Sequence, residues 1–213
     1  MNHLIHNRLT DFEMWANFRS GNDLMFSMIY YKYAGKIYQF GLKFTSNISI
    51  IEDAIHDVFI DILINRKTIG QTDNILFYLM KSFKRKLFRL IKKEKRYKIS
   101  IDHFYEYPFE ITYSSIEHEM INNEELNYKI RLISNTLKLL TPRQKEAIYL
   151  RFYFGFKYNE ISELMNINIE ACRNLINRSI KALKNAVREK VVKSDTKRLP
   201  LSYTKLAIHS RLR

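Results

Sequence analysis

Apolar residues in this chain return at intervals of three and four along most of its length, the spacing of a helix buried on one side. "DFEMWANFRSG" predicts a short amphipathic helix ended by Gly21, after which Asn22 or Asp23 is placed to cap the next one. That second helix, within residues 24–45, aligns Phe26, Ile29, Tyr30, Tyr33, Ile37, Phe40, Gly41 and Phe44. "SIIEDAIHDVFIDILINR" predicts a third, with Ser49 as N-cap and Glu52 completing a capping box. The polar break "KTIGQTDN" separates it from "ILFYLMKSFKRKLFRLIKKEKRY", whose Phe77, Leu79, Met80, Phe83, Leu87, Leu90 and Ile91 supply a core side. Trp15, Phe26, Tyr33, Phe40, Phe59 and Phe83 all fall on stripes expected to be buried.

Periodicity lapses between residues 98 and 128 and then resumes. "YKIRLISNTLKLL" keeps Ile130, Ile133, Leu137 and Leu140 in register. Thr141 and Pro142 suit the N-cap and first position of the next helix, "RQKEAIYLRFYF", which stops at Gly155. A short helix "YNEISELM" and the break Asn166-Ile167-Asn168 lead into "NIEACRNLINRSIKAL". The predicted fold is all-α, with two small helical domains joined by a linker. The expected boundaries are 1–97 for the first domain, 98–128 for the linker, 129–190 for the second domain and 191–213 for a basic, weakly patterned tail.

Composition supports the helical reading, because 5 Gly and 3 Pro in 213 residues leave few places for tight β-turns. A single cysteine excludes an internal disulfide framework and a multi-cysteine zinc site. The N-terminal stretch lacks a signal-type apolar core, and no apolar run approaches the roughly 20 residues that span a bilayer. Membrane insertion is therefore not expected, and the chain reads as cytoplasmic.

Charge narrows the choice of partner. The excess of 36 Lys and Arg over 22 Asp and Glu, a formal +14, calls for an anionic partner, whether nucleic acid or a membrane surface. It is unevenly placed. Lys81, Lys84, Arg85, Lys86, Arg89, Lys92, Lys93, Lys95 and Arg96 crowd one helix against Glu94 alone. A solvated face would ordinarily mix the two signs, and unbalanced cations repel unless an anion screens them. The linker reverses the sign, through Asp102, Glu106, Glu110, Glu117, Glu119, Glu124 and Glu125. Its acidity suits plain solvation, imitation of nucleic acid or occupation of a basic channel.

The last predicted helix carries the sharpest motif. Cys172, Leu175, Ile176, Ile180 and Leu183 form its apolar stripe, and Ile161, Leu164 and Met165 of the preceding short helix are placed to pack on it. A short helix, a tight turn and a longer helix make a helix-turn-helix, whose second helix enters the major groove by its first turns. Asn168 is placed to cap that helix, and Glu170, Ala171, Arg173 and Asn174 form its outer first turns. These residue types match base edges: Arg forks onto guanine, Asn onto adenine, Glu accepts from cytosine and Ala touches a thymine methyl. Asn177, Arg178, Lys181 and Lys184 follow at positions suited to phosphates. The plainer reading is a helical hairpin in an ordinary bundle, and the basic balance weighs against it.

"LTPRQKEAIYLRFYFGFKYNEISELMNINIEACRNLINRSIKAL" resembles region 4 of the sigma-70 family, in its extracytoplasmic-function (ECF) branch. "IEDAIHDVFIDIL" resembles the region 2 segment that binds the polymerase clamp, and "YLMKSFKRKLFRLIKKEKR" the region 2 helix beside the minus-10 element. The resemblance covers nearly the whole chain, in the family's order, with an acidic linker between the two domains. It implies a dissociable, non-enzymatic subunit that directs core RNA polymerase to promoter DNA, with no cofactor. An anti-sigma partner is implied by the family alone.

Carried onto this chain, Lys157 and Tyr158 would hold the backbone of the minus-35 duplex. Glu170, Ala171, Arg173, Asn174, Asn177, Arg178 and Lys181 would meet its bases and phosphates. Asp53, His56, Asp57, Phe59 and Asp61 match the polymerase-binding stretch, where Glu52 adds a further carboxylate. Phe77, Tyr78, Lys81, Lys84 and Arg85 would serve the minus-10 element, with residues 66–77 as a pocket for an extruded base. Three positions depart from the family's usual residues: Arg85 for Asn, His56 for Gln and Lys145 for Arg.

Three other classes fit parts of the pattern, the weakest being a membrane-surface protein, which leaves the helix-turn-helix unexplained. Glu52, Asp53, His56 and Asp57 share helical spacing that brings metal-ligating types together, but no second cluster completes a site, and no catalytic motif is present. A stand-alone helix-turn-helix regulator would share the C-terminal pattern without joining polymerase.

Overall fold

Thr10 opens the first helix, α1 (Asp11–Arg19), through a reciprocal capping box with Glu13. The computed structural model describes residues 9–95, 109–111 and 133–198, with backbone alone at 95 and 189–198. All regular structure among them is helical. Ile130, most of the acidic linker and the tail beyond residue 198 lie outside the described residues.

After Gly21, at φ 106°, Asn22 caps α2 (Asp23–Gly41), its side chain accepting from the Leu24 N–H. The third helix, α3 (Ile48–Ile64), begins before the predicted Ser49. Asn47 is the cap, its side chain accepting from the Ile50 N–H, so Ser49 lies inside the helix and Glu52 stays on the outer face. Asn caps as well as Ser, and here it stands two positions earlier with an extended backbone.

The fourth helix, α4 (Ile75–Lys95), is started by two acceptors: Asn74 Oδ1 takes the Phe77 N–H at 3.0 Å, and Asp11 Oδ2 takes the Ile75 N–H at 3.0 Å. Asp11 also receives the Tyr33 hydroxyl and, at 2.9 Å, the Lys32 ammonium. Burial alone would raise its pKa, but the bonds from Tyr33, Lys32 and the Ile75 N–H outweigh that and hold it below the ordinary value. Burial, then the hydrogen bond to Asp11, pushes the Tyr33 hydroxyl far upward. One carboxylate thereby ties α1, α2 and α4 together.

The core of this N-terminal unit contains Trp15, Phe18, Ile29, Ile37, Phe40, Ile51, Leu79 and Phe83. Each such side chain contributes about 1.5–3 kcal/mol by leaving water. Gly41 marks the tightest approach: a Cβ there would stand 2.8 Å from Ile51 Cγ2 and 2.9 Å from Phe83 Cζ. The loop before α4 is fixed to α1, since Trp15 Nε1 donates to the Gly70 carbonyl at 2.8 Å and Gln71 Nε2 to the Phe12 carbonyl at 3.0 Å.

The C-terminal unit follows a helical segment over residues 133–137, in which Thr136 is buried and Ile133 exposed. Thr141 caps α5 (Pro142–Phe152) with a capping box to Gln144 and Pro142 in the first turn. Gly155, at φ 72°, turns the chain into α6 (Tyr158–Met165). Asn166 ends that helix in the left-handed region, at φ 50°. Asn168 then caps α7 (Ile169–Arg198), its Oδ1 accepting from the Ala171 N–H at 2.7 Å. α7 continues to Arg198, well into the stretch expected as an unpatterned tail.

Candidate nucleic-acid interface

Ile161, Leu164 and Met165 of α6 are buried with Cys172 and Ile176 of α7, so the two helices of the motif share the packing their spacing predicted. Burial raises the pKa of the Cys172 thiol against a smaller downward pull from Arg151. The cysteine therefore serves the fold of this helix pair. Its packing turns the opposite face of α7 to solvent. Glu170, Ala171, Arg173, Asn174, Asn177, Arg178 and Lys181 are all exposed, and Lys157 with half-buried Tyr158 adjoins them at the start of α6.

Tyr158 links the two helices electrostatically. The Arg151 guanidinium lies 4.7 Å and that of Arg173 5.8 Å from its ring centroid. A cation over an aromatic face keeps its charge while losing some freedom. Arg173 is thus steadied beside the capped start of α7, where the helix presents its first turn outward.

The residues expected to meet the minus-10 element are placed quite differently. Arg85 is exposed, but Lys81, also exposed, pairs with Glu163 of α6 at 2.7 Å. Lys84 is buried: its ammonium meets Glu146 of α5 at 2.5 Å and the Leu164 carbonyl at 2.9 Å, over the rings of Phe44 and Phe88. Phe77 is half-buried against Phe156, with ring centroids 5.9 Å apart, and Tyr78 lies 5.0 Å from Trp15. In this arrangement, therefore, Lys84 is not on an open basic face. It sits between the two units, because a carboxylate and a carbonyl of the second unit solvate its charge.

The seam extends on either side. Asn74 Nδ2 donates to Glu160 at 2.7 Å, while Phe154 packs 6.0 Å from Phe40. From the linker, Phe109 is buried among Phe40, Phe44 and Tyr149, and the Glu110 N–H donates to the Lys43 carbonyl at 2.9 Å. Glu110 also reaches Lys145 at 3.4 Å. Lys145 is buried there and so is not displayed as a phosphate contact. Phe109 was absent from the sequence-derived core: the linker's broken periodicity gives an isolated aromatic no face to belong to.

On α3, Asp53, His56, Asp57 and Asp61 are exposed together with Glu52, and Asp61 pairs with Lys86 at 2.7 Å. Phe59 differs from the others. It is 3% exposed and packs 4.8 Å from the Tyr30 ring, so it supports the helix from inside instead of standing on its outer face. Its neighbours line a groove between α2 and α3 that includes Tyr30, Tyr38, Ile60 and Leu63.

Comparison with known proteins agrees with this architecture. Residues 130–183 match the family model for sigma-70, region 4. The chain is similar to the solved structure of CnrH in complex with the cytosolic domain of CnrY, at 14% identity and a TM-score of 0.51, over 83% of this chain and 96% of that one. It is also similar to the sigma factor RpoE of Bartonella quintana, solved with the anti-sigma factor NepR. There the identity is 15% and the TM-score 0.51, over 76% of this chain and 96% of that one. At these identities the likeness is one of fold. No curated protein sequence matches the chain. The helix-turn-helix thus lies within a match to sigma-70 region 4, and the chain around it shares the fold of these solved proteins.

Proposed function

We propose that this chain is a transcription initiation factor of the ECF type, which joins core RNA polymerase and directs it to promoters. The observation that carries this reading is the capped, outward first turn of α7 within the region 4 match. Glu170, Arg173 and Asn174 would read the minus-35 bases there, Ala171 offers a methyl contact, and Asn177, Arg178 and Lys181 would hold phosphates. Lys157 and Tyr158 would fix the backbone from α6.

The N-terminal unit would supply the minus-10 contacts through Arg85, Lys81, Lys84, Phe77 and Tyr78. The acidic outer face of α3, with Asp53, His56, Asp57 and Asp61, would dock on the polymerase clamp. Phe59 would support that face from the core. Core RNA polymerase and promoter DNA are the proposed partners, and an anti-sigma factor fits beside them, as in the complex of RpoE with NepR. The protein itself would catalyse no reaction and need no cofactor. Among the described residues no helix is long and apolar enough to cross a membrane, in keeping with work in the cytoplasm.

Competition for core polymerase tests the reading. The protein should displace a reference sigma factor from core enzyme, and Asp53→Lys should weaken that displacement. Tight DNA binding with no association with core would assign the chain to stand-alone helix-turn-helix regulators instead.

A further inference from the structure

A cavity of about 210 Å³ is enclosed by α4, the linker residue Phe109, the first turns of α5 and the end of α6. Its apolar walls are Phe44, Phe109, Leu164 and Met165, all of them buried. The size suits one ring with a small substituent, since an apolar cavity of about 150 Å³ is filled by benzene. Apolar walls with a few convergent polar groups are the usual make-up of a small-molecule site.

The polar groups around it are unequal in sign. Lys81, Lys84, Arg85 and Arg143 line the cavity against Glu146 and Glu163, a net charge of +2. Glu146 is matched by Lys84 and Glu163 by Lys81. Arg85 is exposed and pairs with no carboxylate among the described residues. A guanidinium forks onto two oxygens of one anionic group, the geometry that phosphate and carboxylate present. A phosphate monoester carries a charge of about −1.5 to −2 near neutral pH, so it offsets the cavity's excess where a single carboxylate does not.

We propose that this cavity is a binding site for a small aryl phosphate, its ring between the apolar walls and its phosphate on the Arg85 guanidinium. Neither half of such a ligand is enough alone. Inorganic phosphate leaves the apolar walls unfilled, and an uncharged ring leaves the cationic excess unmatched. One rigid molecule that meets both features makes its second contact at little further loss of freedom. The site draws on the cavity itself and needs none of the promoter contacts proposed above.

Calorimetric titration of the full chain with phenyl phosphate, inorganic phosphate and phenol, at one ionic strength, tests the proposal. Phenyl phosphate should bind once per chain with a Kd below about 1 mM, and each fragment at least about tenfold more weakly. Arg85→Gln and Arg89→Gln each remove one exposed cation from α4, but Arg89 does not line the cavity. Arg85→Gln should weaken phenyl phosphate about tenfold through the lost charged hydrogen bonds. Arg89→Gln should leave it unchanged, with the same helix content by circular dichroism in both variants. Inorganic phosphate binding as tightly as phenyl phosphate would overturn the ring site. Equal loss in the two variants, or none in Arg85→Gln, would reduce the attraction to that of a basic surface and overturn it as well. Titrations that show no saturable binding of phenyl phosphate at several millimolar would end the proposal outright.

Discussion

Lys84 and Glu146, sixty-two positions apart, meet at 2.5 Å with side chains only 8% and 11% exposed. Neither charge is close to bulk water, so the pair joins α4 to α5 at a desolvation cost that each partner repays only while the other is present. Removing one should therefore cost more than removing both. Lys84→Met or Glu146→Leu alone leaves a buried charge and should destabilise the folded chain by about 3–5 kcal/mol, while the double substitution should be close to neutral. A double-mutant cycle on the thermal unfolding of the full chain measures this. Additive single effects would remove the pair from the interface energetics.

Arg173 stands 5.8 Å from the Tyr158 ring centroid at the open start of α7. On the proposed reading, Arg173→Ala should relax discrimination among minus-35 sequences by about 1–3 kcal/mol at one base position. Binding of holoenzyme to a panel of single-base promoter variants measures it. An equal loss on every sequence would make Arg173 a phosphate contact.

Asp11 gives the N-terminal unit a specific acid sensitivity. Its carboxyl titrates below its ordinary value in the folded chain because the bonds from Tyr33, Lys32 and the Ile75 N–H outweigh its burial. The stabilisation is fully present above the unfolded carboxylate pKa of about 4 and is lost as pH falls through the lower folded value. Asp11→Asn should lower stability at neutral pH by about 1–3 kcal/mol, and by progressively less under acid conditions. Thermal unfolding of both proteins across that pH range checks it. A constant difference at every pH would show that the charge is not the stabilising feature.

Gly41→Ala should lower stability by about 1–3 kcal/mol, since the added methyl meets Ile51 and Phe83 at under 3 Å in a packed core. Denaturant unfolding measures the loss. Gly35→Ala, where no atom lies within 4 Å of the added carbon, is the matched control and should stabilise α2 slightly through helix propensity.

Local signals account for what was legible in the sequence. Thr141 with Pro142, the Gly155 turn, and the Asn166 and Asn168 ends are each decided within a few residues, and each stands where expected. The cap of α3 was misplaced because Ser49 with Glu52 and Asn47 offer nearly equivalent chemistry two positions apart. Phe59 is buried as its place on the apolar stripe predicts, although it also falls in the stretch that resembles the clamp-binding segment. The burial of Lys84 was not legible. On α4 it is one cation among many, and only the approach of Glu146 from a distant helix distinguishes it from exposed Arg85. Phe109 escaped for the same reason, since its partners come from both units and none is near in sequence.

Promoter-specific initiation in a reconstituted system tests the central claim most directly. Core RNA polymerase is incubated with this protein and a library of promoter fragments, and transcript starts are mapped. The account predicts starts at a defined set of sequences sharing a minus-35 and a minus-10 element, absent with core alone and reduced by Asp53→Lys. Transcription no different from that of core enzyme alone, from a protein that binds duplex DNA, would contradict it.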